Sequence, residues 1–289
     1  MGEVLFDVFP DGKSVLGGAP FNVAWNLQGF GLRPEFVSAV GSDDAGDRIR
    51  GRMEAWGMST RGLQVNDHPT GEVQVQLDNG QPTFDIVAER AYDFLQSPDF
   101  SVSADDFAVF YYGTLAFRNE TSRRAIQKMI AESNVPRFVD INIRQPWFDP
   151  AWLDELLQNA AWVKLSDDEL SKLTGETCDN RDQIVEATGN MRSRFGGDNY
   201  LVTCGSDGAY AITQSDTLFA DAPEPKELRD TVGAGDAFAA ATMFGLLQGW
   251  DLLDTIKNAT RYASRICEIS GATCEDRSLY QSVKNGMAS

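Results

Sequence analysis

The chain has a single histidine, His68, among its 289 residues. A Ser-His-Asp triad or a multi-histidine metal site therefore has almost no material to work with. His68 lies between Asp67 and Pro69, which reads as a loop position. The four cysteines, Cys178, Cys204, Cys267 and Cys274, form no C-x-x-C pair. That excludes a zinc ribbon or a thioredoxin-like site, and scattered single cysteines suit a reducing, cytoplasmic setting. Basic residues are scarce as well: 25 Lys and Arg face 43 Asp and Glu, for a net charge of −18. Nucleic acid and anionic membrane are thus poor partners, and an anionic substrate would need a local basic pocket. No apolar run exceeds Phe238 to Leu247, which is too short to cross a bilayer. Glu3 and Asp7 stand where a secretory signal would need basic and then apolar residues. No internal repeat or low-complexity tract occurs.

What is present supports a folded α/β domain. Apolar residues make up 42% of the chain, enough for a substantial core. From Phe107 onward, short β-rich segments alternate with helical ones: Ala108–Tyr112, Arg137–Ile141, Trp162–Leu165 and Tyr200–Cys204 as strands, with helices between them. Such alternation predicts a doubly wound, mostly parallel sheet covered on both faces, with ligands at the C-terminal ends of its strands. Val4–Phe9 and Glu35–Val40 read as earlier strands, and Asp43–Trp56 as a capped helix. Between residues 70 and 90 the period drops to two. Val73, Val75 and Leu77 alternate with polar residues, Asp78-Asn79-Gly80 signals a turn, and Phe84 follows. This predicts an amphipathic hairpin, with a further strand at about 10–16, inserted as a cover. Its apolar stripe should meet a bound molecule or a second subunit.

Two glycine motifs carry the chemistry. Gly12-Lys13-Ser14 is not one of them, because the earlier glycine of a Walker loop would fall at Asp7. Gly17-Gly18-Ala19-Pro20-Phe21-Asn22 reads as a helix start with proline in the first turn. Asn22 either points to solvent or faces a ligand above the glycines. Asp230-Thr231-Val232-Gly233-Ala234-Gly235-Asp236 is a tight turn into an apolar helix. The uncovered N–H groups of such an entry attract phosphate. Asp236 is there either as an N-cap or as a proton acceptor. Polar groups also cluster after strands: Asp140, Asn142 and Arg144; Lys164, Ser166 and Glu169; Thr203, Gly205 and Gly208.

With these two motifs the chain resembles the ribokinase-like (PfkB) carbohydrate kinases over nearly its whole length, as a single domain spanning 1–289. It is most similar to the fructokinases, through Gly2-Glu3, Phe6-Asp7, Thr70-Gly71, Gly113-Thr114-Leu115 and Asp140 to Arg144. The resemblance implies transfer of the ATP γ-phosphoryl group to a sugar hydroxyl. Asp236 would be the base, and the N–H groups of Gly233, Ala234 and Gly235 the anion hole. Asp7, Gly18 and Asn22 would hold the sugar, joined by Arg144 and Asp230. Lys164, Ser166, Thr203, Gly205, Gly208 and Asn258 would serve the nucleotide. Lys164 and Glu169 match the family's K-x-N-x-x-E stretch, in which the acid organises Mg²⁺ through water; Ser166 stands where that stretch has asparagine. A monovalent cation such as K⁺ and a homodimer formed through the cover are further implications. Another small polyol, such as 2-keto-3-deoxygluconate or a nucleoside, and a non-catalytic sugar-binding regulator are the rival readings.

Overall fold

A computed structural model describes residues 1–78 and 81–285. The first part of the chain comprises β1 (Leu5–Val8), β2 (Ser14–Gly17), α1 (Ala19–Gly29), β3 (Ser38–Gly41), α2 (Asp44–Trp56), β4 (Leu63–Asn66), β5 (Gly71–Asp78) and β6 (Gln81–Ile86). The middle comprises β7 (Phe110–Gly113), α3 (Glu120–Glu132), β8 (Arg137–Asp140), α4 (Leu153–Leu157), β9 (Trp162–Ser166), α5 (Asp167–Thr174) and α6 (Arg181–Phe195). It closes with β10 (Asn199–Thr203), β11 (Gly208–Ile212), β12 (Thr217–Asp221), α7 (Ala234–Leu247), α8 (Leu252–Ile266) and α9 (Arg277–Asn285).

Strands β7 to β12 form a sheet in the order β12-β11-β10-β9-β8-β7. The run from β7 to β10 is parallel, and β11 and β12 are added antiparallel. Successive side chains on a strand face opposite ways, so each strand feeds two cores. Tyr111, Phe138, Leu201 and Ala211 join one core, with Phe21 and Trp25 of α1 and Phe238 of α7. Tyr112, Val139, Val163 and Val202 join the other, with Ile126 of α3, Leu156 of α4 and Met191 of α6. This is the doubly wound layering that the strand–helix alternation predicts.

The early strands behave differently. β1, β2, β5 and β6 make a separate sheet in the order β2-β1-β5-β6. Its register pairs Val8 with both Ser14 and Gln74, and Val75 with Phe84. Val73 and Val75 are buried, whereas Phe84 is 53% exposed. The expected stripe is thus covered in part within one chain. Leu77's side chain, and the turn at Asn79-Gly80, lie outside the described residues. The strand expected over Glu35–Val40 is observed later, at Ser38–Gly41, in a two-stranded parallel sheet with β4. The Val37 carbonyl is instead taken by the Gly2 N–H. Helix α8 stops at Ile266. Cys267 closes it by donating to the carbonyls of Ala263 and Ser264. β4 and α9 escape the sequence reading.

Candidate active site

Helix α7 begins at the glycine turn. Gly233 is its N-cap residue, at φ 82°, and no side chain caps the helix. A Cβ at Gly233 would lie 2.3 Å from the Cβ of Ala272, so both the backbone angle and the packing require glycine. Asp236 stands at the third helical position, not at the cap. Its Oδ2 accepts a hydrogen bond from Asn22 Nδ2 at 2.8 Å, across 214 residues of sequence. The two glycine motifs therefore meet, and Asn22 faces the site rather than solvent, being 4% exposed. Gly18, the N-cap of α1 at φ 109°, lets that helix start against Glu3; a Cβ there would come within 2.7 Å of the Glu3 carbonyl oxygen.

Two cavities share this turn. The first, of about 440 Å³, is lined by Asp7, Gly18, Asn22, Arg144, Gly233 and Asp236, with Phe84 beside them. The second, of about 430 Å³, is lined by Thr203, Gly205, Gly208, Ala234 and Leu228, with Thr260 and Ser264 of α8. Thr231 and Gly235 border both. The N-terminal turn of α7 thus forms the partition between two chambers. Its positive dipole end lies at the boundary with no side chain capping it, the Ala234 N–H meeting only the Thr231 carbonyl at a long 3.3 Å.

Other sequence-predicted residues are placed less directly. Lys164 lines the first cavity rather than the second. Its Nζ is held by both oxygens of the buried Asp140, at 2.9 and 3.0 Å. A Cβ on Gly235 would sit 3.1 Å from that Nζ, so the partition rests on the lysine. Ser166 and Glu169 line neither cavity. They form a reciprocal capping box at the start of α5, and Glu169 Oε1 also accepts from the Ile143 N–H at 2.6 Å. Glu169 thereby steadies the loop that carries Asn142, at φ 42°, and Arg144. Asp230 lies outside the first cavity as well. Its oxygens accept from the N–H groups of Val232 and Gly271, both at 3.0 Å, which pins the turn to the segment before Ala272. The Asn258 amide is turned back on its own helix, donating to the Asp254 carbonyl at 2.8 Å; Thr260 and Ser264 reach the cavity instead. Glu3 is the wall residue that the sequence reading missed, buried at 4% exposure. Its sequence signal was a charge at the head of an apolar, β-rich run.

Burial dominates the electrostatics. It pushes the Asp236 carboxyl above its usual range, while the Asn22 donor and the charges of Lys164 and Arg144 pull it back. Burial lifts Asp7 to about 6 against the pull of Arg144, and lifts Glu3 to about 7. Asp140 rises to about 6 for the same reason, opposed by Lys164, whose own pKa is raised by Asp140. These carboxyls hold protons more tightly folded than unfolded. Their contribution to stability is full below their unfolded pKa values, near 4, and is lost as pH rises through about 6 to 7. The melting temperature without ligands is therefore expected to be several degrees higher at pH 5.5 than at pH 8. Calorimetric scans that run the other way would refute this electrostatic picture.

The sequence profile of the pfkB family of carbohydrate kinases matches residues 8–277. A fructokinase from Klebsiella pneumoniae is 31% identical over 266 residues, covering 85% of this chain and 83% of that protein. The crystal structure of fructokinase from Vibrio cholerae O395, with fructose, ADP and calcium ion bound, is 26% identical with a TM-score of 0.80. It covers 97% of this chain and 96% of that one. Aminoimidazole riboside kinase from Salmonella enterica, complexed with aminoimidazole riboside and an ATP analogue, gives a TM-score of 0.83 at 23% identity. Coverage there is 98% of this chain and 97% of that one. The architecture is the ribokinase-like α/β fold. The chain belongs to the pfkB family of carbohydrate kinases, and its class is that of the sugar kinases. No helix among the described residues is long and apolar enough to cross a membrane.

Proposed function

We propose that the chain transfers the γ-phosphoryl group of ATP to a hydroxyl of an uncharged sugar, with fructose the first candidate. The observation that carries this reading is the Gly233–Asp236 turn standing between two cavities of similar size. On one side, Thr203, Gly205 and Gly208 would receive the nucleotide. On the other, Asp7, Asn22 and Gly18 would hold the acceptor. Asp236 would take the proton of the attacking hydroxyl, and burial, which raises its affinity for protons, favours that role. The N–H groups of Ala234 and Gly235 would face the charge that builds on the transferred group. Lys164, fixed by Asp140, would hold Gly235 in place and add positive charge beneath it.

Mg²⁺ enters as the partner of the nucleotide. Among the described residues no group of side chains forms a ready metal cluster. Glu169 has both oxygens anchored by backbone N–H groups and keeps lone pairs free, which fits an ion that retains its water and is held largely by phosphate. When bound, the ion neutralises phosphate charge. The β2-β1-β5-β6 sheet would act as the cover that excludes water, closing with Phe84 over the acceptor.

The wall of the acceptor cavity supports a neutral polyol. It offers the carboxylates of Glu3, Asp7 and Asp236, and Arg144 is the exposed cation on its rim. An acceptor that already carries a carboxylate or phosphate would meet repulsion there. Exposed Phe84 favours a second reading, a nucleoside whose base stacks on that ring. A coupled ADP-release assay over fructose, ribose, a purine nucleoside, 2-keto-3-deoxygluconate and fructose 6-phosphate tests the proposal. Fructose is expected to give the highest kcat/KM. Preference for an anionic acceptor, or no turnover on any of them, overturns it.

A further inference from the structure

Few buried polar side-chain atoms among the described residues lack a hydrogen-bond partner. Of those, Glu3 Oε2 and Asn22 Oδ1 are the ones whose residues line the acceptor cavity. A buried acceptor without a donor costs stability, and a charged one costs more. Asn22 already spends its amide on Asp236. Glu3 meets its own backbone N–H with its carboxyl, and its Oε2 is left without a partner. It precedes β1, its backbone is pressed against Gly18, and its side chain is 4% exposed. Arg118, which acts on Glu3 from nearby, is paired with Asp93 at 2.7 Å. The N-terminal ammonium also acts on Glu3, but it donates to the Tyr111 carbonyl at 2.8 Å, and Arg144, the remaining cation, is exposed and in no ion pair among the described residues. The missing donor is thus to be supplied from inside the cavity.

We infer that Glu3 is a specificity-determining residue of the acceptor site, its Oε2 accepting a hydrogen bond from a sugar hydroxyl other than the one that is phosphorylated. The reacting hydroxyl belongs beside Asp236, at the N-terminal turn of α7. Glu3 arrives from a different segment of the chain, ahead of β1. A polyol brings neighbouring hydroxyls, so one molecule can satisfy Glu3 and Asn22 together. The assignment rests on the first cavity being the acceptor site.

A cycle between the residue and single hydroxyls tests it. Wild type, Glu3→Gln and Glu3→Ala are assayed on the best sugar and on each of its monodeoxy analogues. For one analogue, wild type is expected to lose roughly 10- to 100-fold in kcat/KM, the range of a hydrogen bond to a charged group. Glu3→Ala should show a similar loss on the parent sugar and little further loss on that analogue, while penalties for the other analogues persist. A purely structural Glu3 would lower every acceptor by the same factor, and that result overturns the inference. If Glu3→Ala does not fold, Glu3→Gln keeps the shape and carries the same cycle: selective loss of the one penalty supports the assignment, and a uniform loss ends it. Absence of wild-type turnover on any sugar would instead remove the acceptor-site reading itself.

Discussion

Asp236→Asn is expected to lower kcat by about 10²- to 10⁴-fold, the usual contribution of a positioned general base. The acceptor Kd should stay within a few-fold of wild type. The two effects separate because of where the side chain stands. Its Oδ2 is held by Asn22 at 2.8 Å, and the carboxyl borders the partition without capping the helix. An asparagine fills the same volume and keeps the turn, but cannot take a proton. Rapid-quench measurement of the transfer step, with calorimetric titration of the sugar, reads both quantities. Turnover within tenfold of wild type would show that another group accepts the proton.

Lys164→Met is expected to cost about 3–5 kcal/mol of stability, the range for stripping one partner from a buried pair. Lys164 and Asp140 have side-chain exposures of 8% and 1%. Removing the ammonium leaves Asp140 buried at the C-terminal end of β8, beside Tyr111, whose hydroxyl lies 3.3 Å from it. A chain of this size should then melt roughly 10 °C or more lower. Adding Asp140→Asn should restore most of the loss, because the orphan is the charge rather than the lysine. A single variant that melts like wild type would mean that the pair is far better solvated than its burial indicates.

Much of this arrangement was legible in the sequence because it is local. Strand–helix alternation is written in periods of two and 3.6 and gives the doubly wound sheet directly. The glycine turns are equally readable: Gly18 and Gly233 occupy backbone angles and close contacts that no other residue fits. The meeting of Asn22 with Asp236 rests on long-range packing, and only the resemblance to a family suggested it. What the sequence did not reveal is which partners several of these polar groups take up in the fold. Glu169 and Asp230 read as ligand residues, yet their oxygens are engaged by backbone N–H groups of Ile143 and Ser166, and of Val232 and Gly271. Asn258 does not line the second cavity and turns to its own helix, which periodicity alone does not reveal. The role of Glu3 went unread because a charge at the head of an apolar strand signals burial only once the walls around it are known.

The central claim is that one helix entry divides an acceptor chamber from a nucleotide chamber. A crystal structure of the slowed Asp236→Asn variant with ATP and sugar, frozen before turnover, tests it most directly. Sugar density is expected in the cavity bounded by Asp7, Asn22 and Gly18, with one hydroxyl within hydrogen-bond distance of residue 236. The terminal phosphate should lie against the N–H groups of Ala234 and Gly235, with the nucleotide base toward Thr260 and Ser264. Sugar and nucleotide in one chamber, or a terminal phosphate remote from the Gly233–Gly235 turn, would contradict it.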